Sequence, residues 1–143
     1  MTVQEILLPL FVEVILTFLL LFWLAPLRNG DFNAGISRPG NVALREPNWS
    51  PRTLQVGYAF SNQFELPVLF YVLTILAYVT HLAGLLFVVL AWIFVIFRIL
   101  QTYVHVTNNN IRVRGSFFGI AALALVLNWA ICIFEVLTLP RPV

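Results

Sequence analysis

Four long apolar segments constrain this chain more than any other feature of its sequence. They cover about residues 6–27, 54–80, 82–106 and 116–139, and polar residues separate them. Each exceeds the roughly 20 residues that a helix needs to cross a bilayer. The sequence therefore predicts an all-α integral membrane protein, folded as a bundle of four transmembrane helices.

Composition supports this class and excludes others. Only 10% of the residues are charged and 61% are hydrophobic, whereas soluble domains contain about 25% charged residues. The 143 residues leave room for one small helical domain, residues 1–143, and no large soluble domain. A net charge of +2 indicates no nucleic-acid partner. The single cysteine, Cys132, cannot form an internal disulfide, and no metal site is expected.

Arginines are distributed unevenly between the connections. The N-terminus and the second connection contain none, and the C-terminus contains Arg141. The other connections contain six: Arg28, Arg38, Arg45 and Arg52 in the loop of residues 28–53, and Arg112 and Arg114 in the third loop. Basic loops stay in the cytoplasm. Both arginine loops are therefore predicted to be cytoplasmic, and both termini to lie outside. The long first loop either covers part of the bundle or is a solvated linker.

A polar face interrupts the third apolar segment. Arg98, Gln101, Thr102 and His105 follow the i, i+3, i+4, i+7 spacing of one helical face. A charged side chain is costly in lipid, so this face should meet protein or water. It is either the wall of a polar pocket or a hydrogen-bonded seam between helices. The spacing leaves both interpretations open.

The second segment combines a charge with a helix breaker. Pro67 has no N–H to donate to the carbonyl of Gln63, so we expect a bend there. At 1.5 Å per residue from the cytoplasmic end, Glu65 and Arg98 lie at similar depth. An ion pair between them is the least costly way to hold both charges in the bilayer.

Two further glutamates lie in apolar segments. The same count along the helices places Glu13 in the first segment and Glu135 in the fourth, both in the outer half of the bilayer. We therefore expect these two side chains to have structural or interfacial roles, away from the polar cluster. Cys132 is expected to pack as a small apolar residue.

The run Asn62-Gln63-Phe64-Glu65-Leu66-Pro67, followed by the series Arg98, His105, Asn109 and Arg114, resembles the MAPEG family. These are membrane-associated proteins of eicosanoid and glutathione metabolism. The resemblance covers nearly the whole chain, and it is strongest to the less characterised bacterial branch. It implies a homotrimer of four-helix bundles in the bacterial inner membrane. Glutathione would bind as cosubstrate between subunits near the cytoplasmic face, and lipophilic substrates would arrive from the membrane.

The resemblance also implies roles for particular residues. Asn62, Glu65 and Arg98 match positions that line the glutathione site, and Arg28 matches a basic position that touches the tripeptide. Arg114 matches the arginine that stabilises the thiolate and is the predicted catalytic residue. Gln101 and His105 occupy the face where the family usually has a tyrosine or histidine, and are also assigned to the glutathione site. His105 is either a base or a helix cap.

The sequence departs from the family at one place that bears on function. Eicosanoid-type members have arginines just before the asparagine of the second segment, where this chain has Tyr58 and Ser61. The predicted function is a glutathione-dependent transferase or peroxidase acting on lipophilic electrophiles or lipid hydroperoxides, with membrane lipid and such small molecules as partners. The alternative is a non-catalytic member of the same fold that binds a lipid or a protein partner.

Overall fold

A computed structural model describes residues 1–138 and contains helices but no strand within them. The predicted end of the fourth span at Leu139, and Arg141, lie outside the described residues. The elements are α1 (Val3–Asn33), α2 (Pro39–Val42), α3 (Pro51–Ser61), a 3-10 turn (Asn62–Phe64), α4 (Leu66–Val79), α5 (Leu85–Val106) and α6 (Ile111–Thr138). Four stretches are long and apolar enough to cross a membrane: α1, α3 to α4 together, α5 and α6. The all-helical prediction with four candidate spans is confirmed.

The helices extend beyond the apolar segments because their ends are set by capping side chains. Thr2 and Glu5 form a capping box that starts α1 at Val3. Asn110 Oδ1 accepts the backbone N–H groups of Arg112 and Val113, which starts α6 at Ile111, five residues before the predicted span. Arg114 therefore lies in the first turns of a helix and not in a loop.

The long first helix is tied to the start of α3. With 31 residues, α1 is about 46 Å long at 1.5 Å per residue, more than a bilayer's hydrocarbon core of about 30 Å. Near its end, the buried Asp31 accepts the backbone N–H of Ser50 at 2.9 Å, and Ser50 caps α3. The connection between these two helices, residues 34–50, is consequently shorter than the predicted loop of residues 28–53.

That connection folds against the end of α1. The Trp49 ring packs edge-on against Phe32, with centroids 5.1 Å apart, and the Arg28 guanidinium lies 5.3 Å above the same ring. Ser37 Oγ donates to the carbonyl of Asn48 at 2.5 Å. Of the two interpretations of this loop, the structure shows neither a cover over the bundle interior nor a free linker, but a segment ordered on one helix end.

The second candidate span is broken where the sequence predicts a bend. Pro67, in the first turn of α4, cannot donate a backbone hydrogen bond, and a 3-10 turn separates α3 from α4. The Asn62 carbonyl accepts the N–H of Glu65 at 3.4 Å and Nη2 of Arg98 at 3.0 Å. A neighbouring helix thus donates to a carbonyl at the break, in keeping with the need of broken helices in membranes for partners from other segments.

Helix α5 lies at the centre of the bundle. It packs most extensively on α6, and α1 and α3 also pack on it. The small side chains of Ala91 and Ala121 are buried, so α5 and α6 approach closely. Phe70 of α4 stacks on Phe94 of α5, with ring centroids 4.7 Å apart. Large apolar side chains on the outer faces are exposed, as expected where lipid or another protomer covers them.

The end of α5 is held to the start of α3 through side chains. Arg52 Nη1 donates to the carbonyl of Val106, and Gln55 Nε2 donates to the carbonyls of His105 and Thr107 at 2.8 and 2.9 Å. These bonds satisfy terminal carbonyls of α5 that have no partner within the helix. The C-terminal end of α5 thus meets the N-terminal end of α3, and the two arginine-bearing connections share one end of the bundle, called here the arginine-rich end.

The opposite connection spans residues 80–84, longer than the predicted two-residue turn. His81 adopts the left-handed backbone conformation, with φ of 57°. This conformation turns the chain between α4 and α5.

Single-cysteine labelling tests the predicted topology. With Cys132 replaced, cysteines at the exposed positions Asn33 and Asn109 are expected to react with an impermeant reagent from the cytoplasmic side, and a cysteine at His81 from the other side. The measurement is mass shift in intact and in inverted vesicles. Labelling of Asn33 and His81 from the same side would contradict four spans.

Candidate functional site

An open cavity of ≈570 Å³ lies at the arginine-rich end. Small-molecule sites are commonly about 300–1,000 Å³ in volume. The residues that line the cavity come from α3, the break after it, α5, the turn before α6 and the start of α6: Gln55, Tyr58, Ser61, Asn62, Glu65, Gln101, His105, Asn109, Ile111, Arg114, Gly115 and Phe118. The cavity is therefore built by three helices that converge at one end of the bundle.

Five of the seven predicted site residues line this cavity. They are Asn62, Glu65, Gln101, His105 and Arg114. These residues are separated by up to 52 positions in the sequence, and only the packing of α3 and α6 around α5 brings them together. Convergence of polar side chains from distant segments on one cavity is typical of a binding site.

The polar face of α5 serves both of the purposes that the sequence left open. All four of its side chains are buried in the protomer. Gln101 and His105 border the cavity. Thr102 belongs to a seam between helices, because its Oγ1 accepts Nε2 of Gln63 at 3.2 Å. Arg98 lies in the same seam.

Arg98 does not line the cavity, although the resemblance assigned it to the glutathione site. Its side chain is 0% exposed. Nη1 donates to Oε1 of Gln101 at 2.6 Å, and Nη2 donates to the Asn62 carbonyl. Gln101 and Asn62 both line the cavity, so Arg98 lies directly behind its wall and holds two of its residues in place.

Arg28 lies outside the cavity as well. It is exposed near the end of α1, where its guanidinium rests on Trp49. Within one protomer it therefore contacts none of the five residues that converge, and its assignment to the tripeptide stays a prediction that depends on an adjacent subunit.

The predicted Glu65–Arg98 ion pair is wrong for this structure. Arg98 Nε instead lies 3.6 Å from Oε1 of Glu13, and both side chains are fully buried. Glu65 is exposed on the cavity. Glu13 is thus buried within the bundle as the partner of Arg98, which agrees with the structural role expected for it. Its predicted position, in the outer half of the bilayer away from the polar cluster, is wrong.

Two physical reasons explain the error. Depth counted along each helix assumes that all helices start at one membrane plane, but α1 is longer than a bilayer is thick, so packing sets its register against α5. In addition, Glu65 lies at the break between the 3-10 turn and α4, and its backbone is not helical, with φ of −96° and ψ of −108°. Its side chain consequently leaves the helical face from which the pairing was predicted.

Arg114 is fixed at the rim of the cavity. Nη1 donates to Oδ1 of Asn109 at 2.7 Å, and Asn109 has the left-handed backbone that the turn before α6 requires, with φ of 52°. Arg112 is exposed and does not line the cavity. Two residues apart on a helix correspond to about 200° of rotation, which explains why the two arginines of this connection face different surroundings.

Several lining residues were not predicted, although helical spacing contains a signal for them. Gln55 and Tyr58 precede Asn62 by seven and four positions, which places all three on one face of a helix. Ile111, Gly115 and Phe118 share a face with Arg114 in the same way. Phe118 and Ile111 give the cavity an apolar side next to its polar one.

Few charges reach the cavity. Within residues 1–138, the lining side chains with a formal charge are Glu65 and Arg114, and the neutral His105 and Tyr58 are the other titratable side chains beside them. The two charges are opposite in sign, so the cavity can hold a cationic and an anionic group of one ligand. Neutral amides of Gln55, Asn62 and Gln101 supply hydrogen-bond donors and acceptors between them.

Comparison with known families decides the identity of the fold. A model of the MAPEG family matches residues 6–134, which covers most of the chain and reaches all four candidate spans. The chain belongs to the MAPEG family. Its members are membrane-associated proteins of eicosanoid and glutathione metabolism, and the resemblance seen in the sequence is confirmed. No curated protein and no solved structure matches the chain.

Proposed function

We propose that this MAPEG protein binds glutathione in the cavity at the arginine-rich end and uses its thiol as a nucleophile. The observation that supports this most is the convergence of Asn62, Glu65, Gln101, His105 and Arg114 on one cavity. The substrates that fit are lipophilic electrophiles or lipid hydroperoxides, because the cavity has an apolar side at Ile111 and Phe118 and the protein has four candidate membrane spans.

The charges of glutathione suggest how it would be held. The ligand has one ammonium group, two carboxylates and a thiol. Glu65 would accept the ammonium group, and the amides of Asn62 and Gln101 would bond the peptide groups. Since Arg98 is enclosed, a carboxylate needs a cation from elsewhere, and Arg28 is exposed at the same end of the bundle. Arg28 of an adjacent subunit would supply it, which favours a site between subunits. The family resemblance implies that these subunits form a homotrimer.

Arg114 would activate the thiol. A free thiol has a pKa of about 8.5 and is mostly protonated at neutral pH. A guanidinium within hydrogen-bond reach favours the thiolate and lowers that pKa. In transfer, the thiol proton goes to solvent, the thiolate forms a carbon–sulfur bond to the electrophile, and the leaving group departs with its electron pair. In peroxide reduction, two glutathione molecules and one hydroperoxide give the disulfide, an alcohol and water.

Conjugation activity tests this proposal. Detergent-purified protein is expected to form the thioether of glutathione with a chloronitrobenzene faster than the uncatalysed reaction, or to consume a lipid hydroperoxide at the expense of glutathione. Product mass and chloride release report the first reaction, and disulfide formation reports the second. A matched control omits the protein but keeps detergent and lipid. Absence of both activities in protein that binds glutathione would contradict catalysis.

A second function has one observation in its favour. Tyr58 and Ser61 line the cavity where eicosanoid-type members have arginines, so the cavity carries few cations. A non-catalytic member that binds a lipid or a protein partner fits such a cavity. If lipid copurifies with the protein and neither glutathione nor another thiol displaces it, this second function would be favoured over the first.

A further inference from the structure

Glu13 is a buried acid that the proposed chemistry does not use. Its side chain is 0% exposed, and it lines no part of the cavity. Within the described residues, neither of its carboxylate oxygens accepts a hydrogen bond, and the Arg98 Nε lies 3.6 Å from Oε1. Burying a charged carboxylate in a membrane span costs free energy unless the charge is paired. An ionisable side chain in such a place is therefore a candidate for a functional role.

Arg98 lies between two carboxylates that have different surroundings. It forms its ion pair with Glu13 on the buried side. Glu65 lines the cavity on the other side, three residues after Asn62, whose carbonyl accepts Nη2 of the same guanidinium. The terminal nitrogens of the guanidinium are already bonded to Gln101 and to the Asn62 carbonyl, at the base of the cavity wall. In this structure Arg98 is paired with Glu13, and the Glu65 side chain is exposed on the cavity.

We propose that Glu13 is a positioning residue that neutralises Arg98 and thereby keeps Glu65 free to bind the ammonium group of an aminothiol. This inference rests on the proposed function, and it assigns a role in ligand selectivity to a residue that does not touch the ligand. The selectivity would be for thiols that carry a free amine over analogues that lack it.

The physical reason is competition for Glu65. Without Glu13, Arg98 is a buried cation with no counter-charge, and such a cation draws the nearest carboxylate. Glu65 would then spend most of its time paired with Arg98. A ligand's ammonium group must displace that pairing before it binds, so the apparent affinity is the intrinsic affinity multiplied by the fraction of Glu65 that remains free. A ligand without the amine has nothing to displace.

Two ligands separate this role from a merely structural one. The probes are glutathione and its des-amino analogue, in which hydrogen replaces the ammonium group. Wild-type protein is expected to bind glutathione about tenfold more tightly than the analogue, as for one well-placed charge contact. Glu13→Gln is expected to lose about tenfold in glutathione affinity and less than about twofold in affinity for the analogue. A structural defect would weaken both ligands equally.

Matched variants complete the experiment. Glu135→Gln removes another span glutamate that does not line the cavity, and it should keep the wild-type preference. Glu65→Gln should lose the preference, and adding Glu13→Gln to it should cause no further loss of glutathione binding. If Glu13→Gln does not yield folded protein, Glu13→Asp keeps the charge and should keep most of the preference for glutathione over the analogue. Loss of that preference in folded Glu13→Asp would contradict the proposal.

The outcomes distinguish this inference from the function on which it rests. If wild-type protein binds neither ligand, the proposed function fails and the role of Glu13 fails with it. If wild-type protein binds both ligands with the expected preference but Glu13→Gln keeps that preference, only the role of Glu13 is contradicted.

Discussion

Arg114→Ala is expected to abolish most thiolate formation while leaving glutathione bound. An adjacent guanidinium lowers the pKa of an acidic partner by about one to three units, so its loss should reduce the thiolate fraction about tenfold or more near neutral pH. Binding should persist because Glu65, Asn62 and Gln101 contact other parts of the tripeptide in the proposed complex. Thiolate absorbance in the far ultraviolet on adding glutathione measures the first effect, and the conjugation rate should fall in parallel.

The same connection offers a matched control for Arg114. Arg112 carries the same charge two residues away, is exposed, and does not line the cavity. Arg112→Ala should therefore keep most of the thiolate signal. Equal signals from Arg114→Ala and wild type would contradict the assignment of Arg114 without affecting the binding site, whereas equal losses in both variants would indicate a general field of the arginine-rich end.

Arg98→Gln is expected to be among the most destabilising substitutions in the protein. It leaves Glu13 buried without a counter-charge, for which the typical cost is about 3–5 kcal/mol. It also removes the donors to Gln101 and to the carbonyl at the break in the second span. Adding Glu13→Gln should restore part of the loss, because the double variant has no unpaired buried charge. Unfolding in mixed micelles with an increasing fraction of denaturing detergent measures the unfolding free energy of the single and of the double variant.

A second cycle with Glu65 serves as the control for this pair. Glu65 is exposed, so Glu65→Gln alone should change the unfolding free energy by no more than about 0.5 kcal/mol. Its effect should add to that of Arg98→Gln, since residues that do not meet show nearly additive losses. Additive losses for Arg98 with Glu13, together with strong coupling for Arg98 with Glu65, would contradict the pairing in this structure.

The sequence was sufficient to predict what hydropathy and local chemistry determine. The four candidate spans follow from segment length, the break before α4 from Pro67, and the buried polar face of α5 from the spacing of Arg98 to His105. The separation of Arg114 from Arg112 follows from helical geometry. Each of these depends on neighbouring residues in one segment, which is the range over which sequence patterns are informative.

The relation between segments could not be predicted in the same way. The pairing of Glu13 with Arg98 depends on how far α1 is shifted along α5, and packing across the bundle sets that shift. One signal for it was present in the sequence: Arg98 is an arginine deep within an apolar segment, so a glutamate deep in another is its natural partner. The helix starts at Val3 and Ile111 also had signals, in the capping side chains of Thr2 and Asn110, which hydropathy does not register.

Equilibrium titration of the purified protein with glutathione tests the central claim most directly. Calorimetry in mild detergent should show saturable binding to wild-type protein, and Glu65→Gln should weaken it about tenfold because the ammonium group loses its carboxylate. The Arg112→Ala variant should bind as wild type does. Saturable binding that Glu65→Gln weakens and Arg112→Ala does not would support glutathione in this cavity; no saturable binding to wild-type protein would contradict it.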